Sequence, residues 1–274
     1  MALHSKAPDG CARVTVIHLA ALLSGYSEVN FDLGMKVNLF GTLNVIERVR
    51  SVGAALGAPC IYLYASTDYV ACYNDANKAS PVTEESFRLS PCSYGCQKAC
   101  NELLLSDYTR KGFVDARVCR LSAVLGRPGW SNSISYPYTG IFTQPLEKPE
   151  EVYGIPLPMD RPYPCSSLNN NVEALFHMAG KVDGSAIGHN RVVQMPNSSF
   201  CLDDIWAAAQ IVAKEEGVAL GTIKQIPASE GTTTVQEIDV CPYVSSDKAQ
   251  ALGCPMDSDI KEIIRDYITT YVKK

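Results

Sequence analysis

No apolar run in this sequence approaches the roughly 18 residues that a membrane span requires. Its first stretch, MALHSKAPDGCARV, lacks the apolar centre of a secretory signal. There is no basic excess: 24 Lys and Arg stand against 29 Asp and Glu, for a formal charge of −5. Nothing therefore marks a nucleic-acid footprint. The cysteines form no paired framework, being 11 in number and scattered. A reducing, cytoplasmic setting fits that pattern. The four histidines, His4, His18, His177 and His189, fall in no ligand spacing. Cys92, Cys96 and Cys100 recur every four residues, but the set straddles Tyr94 and Lys98 and has no x-x-spaced partner. These three read as small, half-buried helix residues, and no metal site is expected. Internal repeats and low-complexity runs are absent as well.

What is present suits a globular core. The chain has 274 residues, 46% of them hydrophobic and 19% charged, enough for one large domain or two small ones. Residues 14–19 read as a buried parallel strand, a short apolar run rich in β-branched residues. His18 within it reads as a core histidine rather than a catalyst. Residues 28–53 read as a long helix, with Val37, Phe40, Leu43, Val45 and Ile46 in its apolar stripe. Residues 60–65 are the next strand, 90–110 a helix, 116–125 another buried strand and 191–195 a short one. Ser167 starts a helix, and Ser199 is expected to cap a further one with Asp203 and Asp204 in its first turns. Alternating apolar strands and helices argue a parallel α/β sheet. From Gly126 to Pro164 the composition turns dense in Pro, Gly and Tyr, which reads as a long irregular functional segment.

The stretch SPCSYGCQKACNE, residues 90–102, carries the chemistry. Tyr94 and Lys98 lie four apart, one helical turn, on one face. A phenol beside a fixed ammonium is a proton-transfer device, because a nearby positive charge favours the phenolate. Upstream, the apolar run IYLYASTDYV brings Ser66 and Thr67 to a strand end, where a hydroxyl could hold a substrate oxygen against the phenol.

Taken together, a strand ending in Ser-Thr, a Pro/Ser helix start, Tyr94-Gly95, Lys98 and then Asn101-Glu102 resemble the extended short-chain dehydrogenase/reductase family, the NAD-dependent epimerases and dehydratases. The resemblance runs from about residue 14 onward. It implies an incomplete Rossmann-like parallel sheet with a small C-terminal substrate-binding part, and an NAD or NADP cofactor. It implies Tyr94 as acid/base, Lys98 as binder of the nicotinamide ribose that lowers the Tyr94 pKa, and Thr67, or less favourably Ser66, as the hydroxyl that orients substrate. HLAA puts Leu19, Ala20 and Ala21 against the cofactor, although tight strand-to-helix packing explains small residues there equally well. VNLFGT places Asn38 in a proton or water path or in a structural contact. RPGWSN, SYPYTGIFTQPL and the early HLAALLSGYSEVNFDLGMKVNLFGT resemble the D-erythronate dehydrogenase branch, which oxidises a small sugar acid. Ser131 replaces a proline usual there, and Tyr138 stands near a phenylalanine position. Arg127 is the natural partner of a substrate carboxylate, or a loop brace, with Ser24 and Asn132 as further polar candidates.

One expected feature is missing. Neither G-x-x-G-x-x-G nor G-x-G-x-x-G occurs, so no glycine-rich turn brings backbone N–H groups to a pyrophosphate. The chain enters the family pattern at its fourth strand, and the first βαβαβ unit is expected to be absent. Residues 14–19 should then form an exposed sheet edge, with apolar surface near Val16, Leu19 and Leu22. Residues 1–125 and 165–198 would form a partial NAD(P)-binding core, and 126–164 and 199–274 the substrate-binding part. Within the enzyme class, a nucleotide-sugar epimerase or dehydratase and a uronate dehydrogenase are alternatives. A non-catalytic truncated remnant is the alternative of another class. The implied partners are a small sugar acid and a second copy of the chain, in a homodimer formed through the helices of residues 28–53 and 90–110.

Overall fold

A computed structural model of the chain describes residues 13–71, 81–230, 242–257 and 259–273. The readings placed on residues 1–12, His4 among them, lie outside the described residues. Strand β1 (Thr15–His18) leads through α1 (Ser24–Val29) and α2 (Phe31–Gly34) into a π-helical segment, Met35–Gly41, and then α3 (Thr42–Leu56). The single long helix expected over residues 28–53 is thus interrupted at Asn30 and widened between Met35 and Gly41. Gly57, at φ 71°, ends α3 in the left-handed conformation that glycine adopts without a Cβ penalty. Strand β2 (Cys60–Thr67), helix α4 (Ser93–Arg110), strand β3 (Val114–Leu121) and strand β4 (Ala123–Leu125) follow.

Residues 126–164, expected to be irregular, contain helix α5 (Tyr136–Glu147), strand β5 (Val152–Ile155) and the start of strand β6 (Tyr163–Ser167). Helix α5 escapes a periodicity reading because nearly every residue from Tyr136 to Leu146 is buried, leaving no polar stripe. Next come α6 (Leu168–Gly180), capped by Ser167 as expected, α7 (Gly184–Ile187), β7 (Val192–Gln194) and β8 (Ser198–Phe200). Helix α8 (Leu202–Glu216) is capped by Cys201 and not by Ser199. Ser199 lies in β8, paired with β6, while the Cys201 thiol and the Asp204 carboxylate exchange contacts with each other's backbone N–H. Strand β9 (Thr222–Gln225) and helices α9 (Asp247–Ala251) and α10 (Ile260–Tyr267) complete the description.

Four strands form a parallel sheet in the order β1-β2-β3-β7. Strand β2, CIYLYAST, is buried along its whole length, as a strand covered on both faces must be. On one face Tyr62, Tyr64 and Val118 pack against Ile46 and Val49 of α3 and Leu105 of α4. On the other, Leu63, Cys119 and Val193 meet Ala174, Leu175 and Met178 of α6 and Ala249 of α9. A further core joins α5, α8 and α10 to the small β4-β6-β8 sheet.

Among the described residues β1 pairs only with β2 and is the sheet edge. It is less buried than a β-branched run suggests: Thr15 and Ile17 are exposed, and Leu19 just beyond is 57% exposed. His18 is the buried residue of this strand, with Nδ1 against the Tyr62 hydroxyl and its ring edge-on to Tyr62 and Tyr64. A core histidine is what the strand context suggested.

Candidate active site

The carboxyl ends of β1, β2 and β3 open into a cleft of about 370 Å³. Clefts at strand carboxyl ends are where open α/β sheets bind ligands. Leu19, Ala21 and Ser24 form one wall, Ser66, Thr67 and Asp68 the floor, Tyr94 and Lys98 a second wall, and Arg127 the far rim. The structure therefore gathers Thr67, Tyr94, Lys98, Arg127, Ser24, Leu19 and Ala21 in one place.

Gly95 explains how α4 comes so close to the strand end. A Cβ on Gly95 would lie 2.4 Å from the Tyr69 carbonyl oxygen and 2.2 Å from Ser90 Oγ. Only glycine lets the helix approach that backbone, and this approach sets Tyr94 beside the segment following Thr67.

Lys98 is buried, and its Nζ donates to the Ala65 carbonyl at 2.7 Å. The same ammonium lies 4.5 Å from the Tyr64 ring centre and 5.5 Å from that of Tyr94. Burial drives the Lys98 pKa down to about 7, against a smaller opposing pull from Glu102. Burial also pushes the Tyr94 phenol well up, with Tyr64, Asp68 and Cys92 adding to it. The expectation that Lys98 lowers the Tyr94 pKa is thus reversed: burial raises it. Desolvation dominates at both groups, and each is held toward its neutral form.

Ser66 and Thr67 part company. Ser66 Oγ donates to Glu102 Oε1 at 2.6 Å. Glu102 also receives Arg120 bidentately at 2.9 and 2.7 Å and Arg88 at 2.9 Å, with Glu102 and Arg120 both fully buried. Ser66 is therefore a member of a buried ionic network, its hydrogen already committed. Thr67 Oγ1 instead donates to Asp68 Oδ1 at 3.1 Å and accepts from Tyr69 N at 3.3 Å.

Asn38 is not among the cleft lining. Its amide bonds to the Leu22 backbone at both N–H (2.7 Å) and carbonyl (2.9 Å), and to Ser27 and Gln97. The wide turn of the π segment presents the Asn38 carbonyl to Asn101 at 2.7 Å. Asn38 braces the loop after β1, the structural alternative for this residue. Ala20 is exposed between Leu19 and Ala21. Ser24 Oγ accepts from Ile134 N at 3.1 Å, and a Cβ on the adjacent Gly25 would lie 2.4 Å from the Asn132 carbonyl. That close contact places Asn132, whose buried Oδ1 has no partner among the described residues, behind the Ser24 wall. Arg127 lies 5.9 Å from the Tyr136 ring, with Nε buried and unpartnered among the described residues. Burial lowers its pKa.

The residue that sequence reasoning passed over is Asp68. It lines the cleft, is 6% exposed, and its Oδ2 has no partner among the described residues. The signal was an acid directly after a Ser-Thr strand end. Cys92 is buried while Cys96 and Cys100 are exposed, so these three thiols share no common environment.

Fold and site define a Rossmann-type α/β protein with a tyrosine–lysine pair at its strand ends. The family described as the NAD dependent epimerase/dehydratase family matches residues 9–138. A D-erythronate dehydrogenase from Cupriavidus necator is 33% identical over 256 residues, covering 92% of this chain and 74% of that protein. Another D-erythronate dehydrogenase, from Haemophilus influenzae, is 26% identical over 255 residues, 92% of this chain and 76% of that protein. The chain belongs to the NAD dependent epimerase/dehydratase family. Among solved structures, a nucleoside-diphosphate-sugar epimerase from Agrobacterium tumefaciens superposes with TM-score 0.78 at 30% identity, covering 95% of this chain and 73% of that one. A Thermus thermophilus UDP-glucose 4-epimerase complex with NAD shares the fold at TM-score 0.71 and 20% identity, over 95% and 79% of the two chains.

Proposed function

We propose that the chain is an NAD(P)-dependent oxidoreductase that oxidises a secondary alcohol of a small sugar acid of the D-erythronate type. The observation that carries this reading is the convergence of Tyr94, Lys98, Thr67 and Arg127 on one cleft. Residues present fit a nicotinamide nucleotide: Leu19 and Ala21 line the wall at the end of β1 with the exposed Ala20 between them, and the buried Lys98 lines the cleft opposite. Such a nucleotide supplies the hydride acceptor when bound.

The chain's own residues do the rest. Tyr94 takes the alcohol proton. Lys98, in its protonated form, would hold a ribose hydroxyl and draw the Tyr94 phenol toward ionisation. Thr67 orients the substrate oxygen. Arg127, with a buried unpartnered Nε, receives the substrate carboxylate through its planar fork. Ser24 lines the same side, its Oγ held by Ile134 N, with Asn132 behind it as the polar group a shift of that wall would bring to substrate. Residues 126–164 and 199–274 form the substrate-binding part, which accords with the separate core joining α5, α8 and α10. Residues 1–125 and 165–198 hold the nucleotide.

The Agrobacterium tumefaciens neighbour supports a second reading, nucleotide-sugar epimerisation. A substrate panel at millimolar NAD and NADP separates the two. Reduced cofactor forming with D-erythronate is the expected result. Interconversion of a nucleotide sugar without sugar-acid oxidation would overturn the assignment.

A cytoplasmic homodimer completes the proposal. The described cysteines are all free thiols, which suits a reducing compartment. Helix α2, the π segment and α4 between them expose Phe31, Leu33, Val37, Phe40 and Leu103, an apolar surface suited to a second copy.

A further inference from the structure

Asp68 is a buried acid at the floor of the cleft, and the groups acting on it among the described residues include no Lys or Arg. One carboxyl oxygen takes the Thr67 hydroxyl hydrogen at 3.1 Å, and the other is unpartnered. The Thr67 oxygen already accepts from Tyr69 N at 3.3 Å. A threonine hydroxyl has one hydrogen and two lone pairs. While Asp68 is ionised, that hydrogen is held by the carboxylate, and Thr67 has none to give to a substrate oxygen.

We propose that Asp68 is a positioning residue that gates the Thr67 hydroxyl: as a neutral acid it donates to Thr67 Oγ1, so that Thr67 donates in turn to the substrate oxygen. In that state the Thr67 hydroxyl is fully used. The two Thr67 lone pairs accept from Tyr69 N and Asp68, and its hydrogen points into the cleft. This inference rests on the sugar-acid dehydrogenase reading for the identity of the substrate oxygen, and only for that.

The surroundings favour the neutral acid. Helix α4 and its N-terminal flank present Tyr94, Lys98 and Cys92; β6 presents Tyr163 and Cys165; the segment after Thr67 adds Tyr69. The buried Tyr163 hydroxyl lies beside Asp68 and the buried Tyr69 hydroxyl beside Tyr163, neither in full hydrogen-bond geometry. Burial raises the Asp68 pKa to about 7, with Thr67 and then Tyr163 pulling the other way. The gate therefore operates near neutral pH.

Two measurements test it on the full chain. The first follows the Asp68 side-chain carboxyl by 13C NMR, assigned by its loss in Asp68→Asn. Asp68 should titrate near pH 7, and higher in Thr67→Val, which removes the donor to the ionised form. Titration near the ordinary value of about 4, unmoved by Thr67→Val, overturns the proposal without reference to any ligand.

The second measures D-erythronate affinity by calorimetry at pH 6 and pH 8.5. Lys98 titrates in the same window, so the readout is the difference between wild type and Asp68→Asn, whose amide donates at every pH. Wild type should weaken about five- to tenfold more than Asp68→Asn across that range, the worth of one hydrogen bond. Parallel profiles sink the gate. If the carboxyl titrates as expected and no variant binds D-erythronate, the substrate assignment fails while the Asp68–Thr67 linkage stands.

Discussion

Lys98 Nζ donates to the Ala65 carbonyl oxygen at 2.7 Å, and this bond fixes the ammonium in the interior of the cleft rather than in water. Helix α4 supplies the lysine and β2 the carbonyl, so the contact ties the two elements that carry the site. Its charge is costly there. The folded-state pKa lies near 7, against an ordinary lysine value of 10.5. Between those values the unfolded chain binds a proton that the folded chain does not, so stability rises with pH across the window. Below about 7 the penalty is fully present. Lys98→Met should therefore stabilise the protein by a few kcal/mol at pH 6, as about 1.4 kcal/mol per pKa unit predicts after loss of one hydrogen bond. The gain should shrink toward pH 10. Urea titrations at both pH values check it; a pH-independent difference would refute the buried-lysine account.

Tyr94→Phe keeps the ring in its partly buried setting and removes the hydroxyl. At millimolar cofactor, turnover should drop by roughly 10²–10⁴-fold, the usual share of general acid–base catalysis. Thermal stability should stay nearly unchanged. A variant retaining more than about a tenth of wild-type turnover would remove Tyr94 from the acid/base role.

Glu102 tests the buried network. It accepts from Ser66, Arg88 and Arg120, and its side chain and that of Arg120 are both 0% exposed. Glu102→Ala leaves Arg120 buried without its carboxylate, which costs on the order of 3–5 kcal/mol. For a chain of this size that is a loss of roughly 6–20 °C in Tm. Calorimetric scanning reads it directly; a shift under a degree or two would show that solvent or backbone carbonyls take over the guanidinium.

Local pattern made Tyr94, Lys98 and Thr67 legible, because one helical turn and one strand end place them without knowledge of the rest, whereas Arg127 was picked out of the loop stretch RPGWSN. Ser66 was ambiguous for a physical reason: its partner Glu102 lies 36 residues away and becomes its neighbour only through α4 packing on β2. Asp68 stood in plain view, yet its unpartnered oxygen depends on burial by Tyr163, 95 residues away, as well as by the adjacent Tyr69. Helix α5 was invisible because it is buried on all sides and carries Pro145 in its interior. The parallel sheet was legible from its apolar strand runs. The reversed Tyr94 shift was not, since a charge–phenol spacing says nothing about how much water both groups lose.

The absent glycine-rich turn predicts weak cofactor binding. Each charge-assisted hydrogen bond to a pyrophosphate contributes roughly 1.5–3 kcal/mol, so several missing bonds weaken affinity by orders of magnitude. Titration of residues 1–274 with NAD(H) and NADP(H) should give no tight binding. A micromolar dissociation constant from calorimetry would refute this and point to another pyrophosphate cradle in the chain.

The exposed apolar surface predicts self-association. Gly34 lets α2 lie against α4, since a Cβ there would come within 2.7 Å of Gln97 Nε2. The π segment that follows α2 leaves Phe40 at 53% exposure and α4 leaves Leu103 at 58%, where a helix on a water-facing surface would carry polar residues. A two-fold contact buries the same residues on both copies, so one charge introduced is felt twice. Phe40→Glu and Leu103→Glu should each shift sedimentation from dimer to monomer at tens of micromolar protein, with circular dichroism unchanged. The β1 edge is an independent route to association, because its outer backbone groups are unpaired among the described residues and Ile17 is 37% exposed beside them. Ile17→Lys should reduce aggregation while leaving the dimer intact. If wild type sediments as a stable monomer at high micromolar concentration, the helix-face dimer is wrong. If instead only Ile17→Lys restores a single species, the contact runs through the sheet edge.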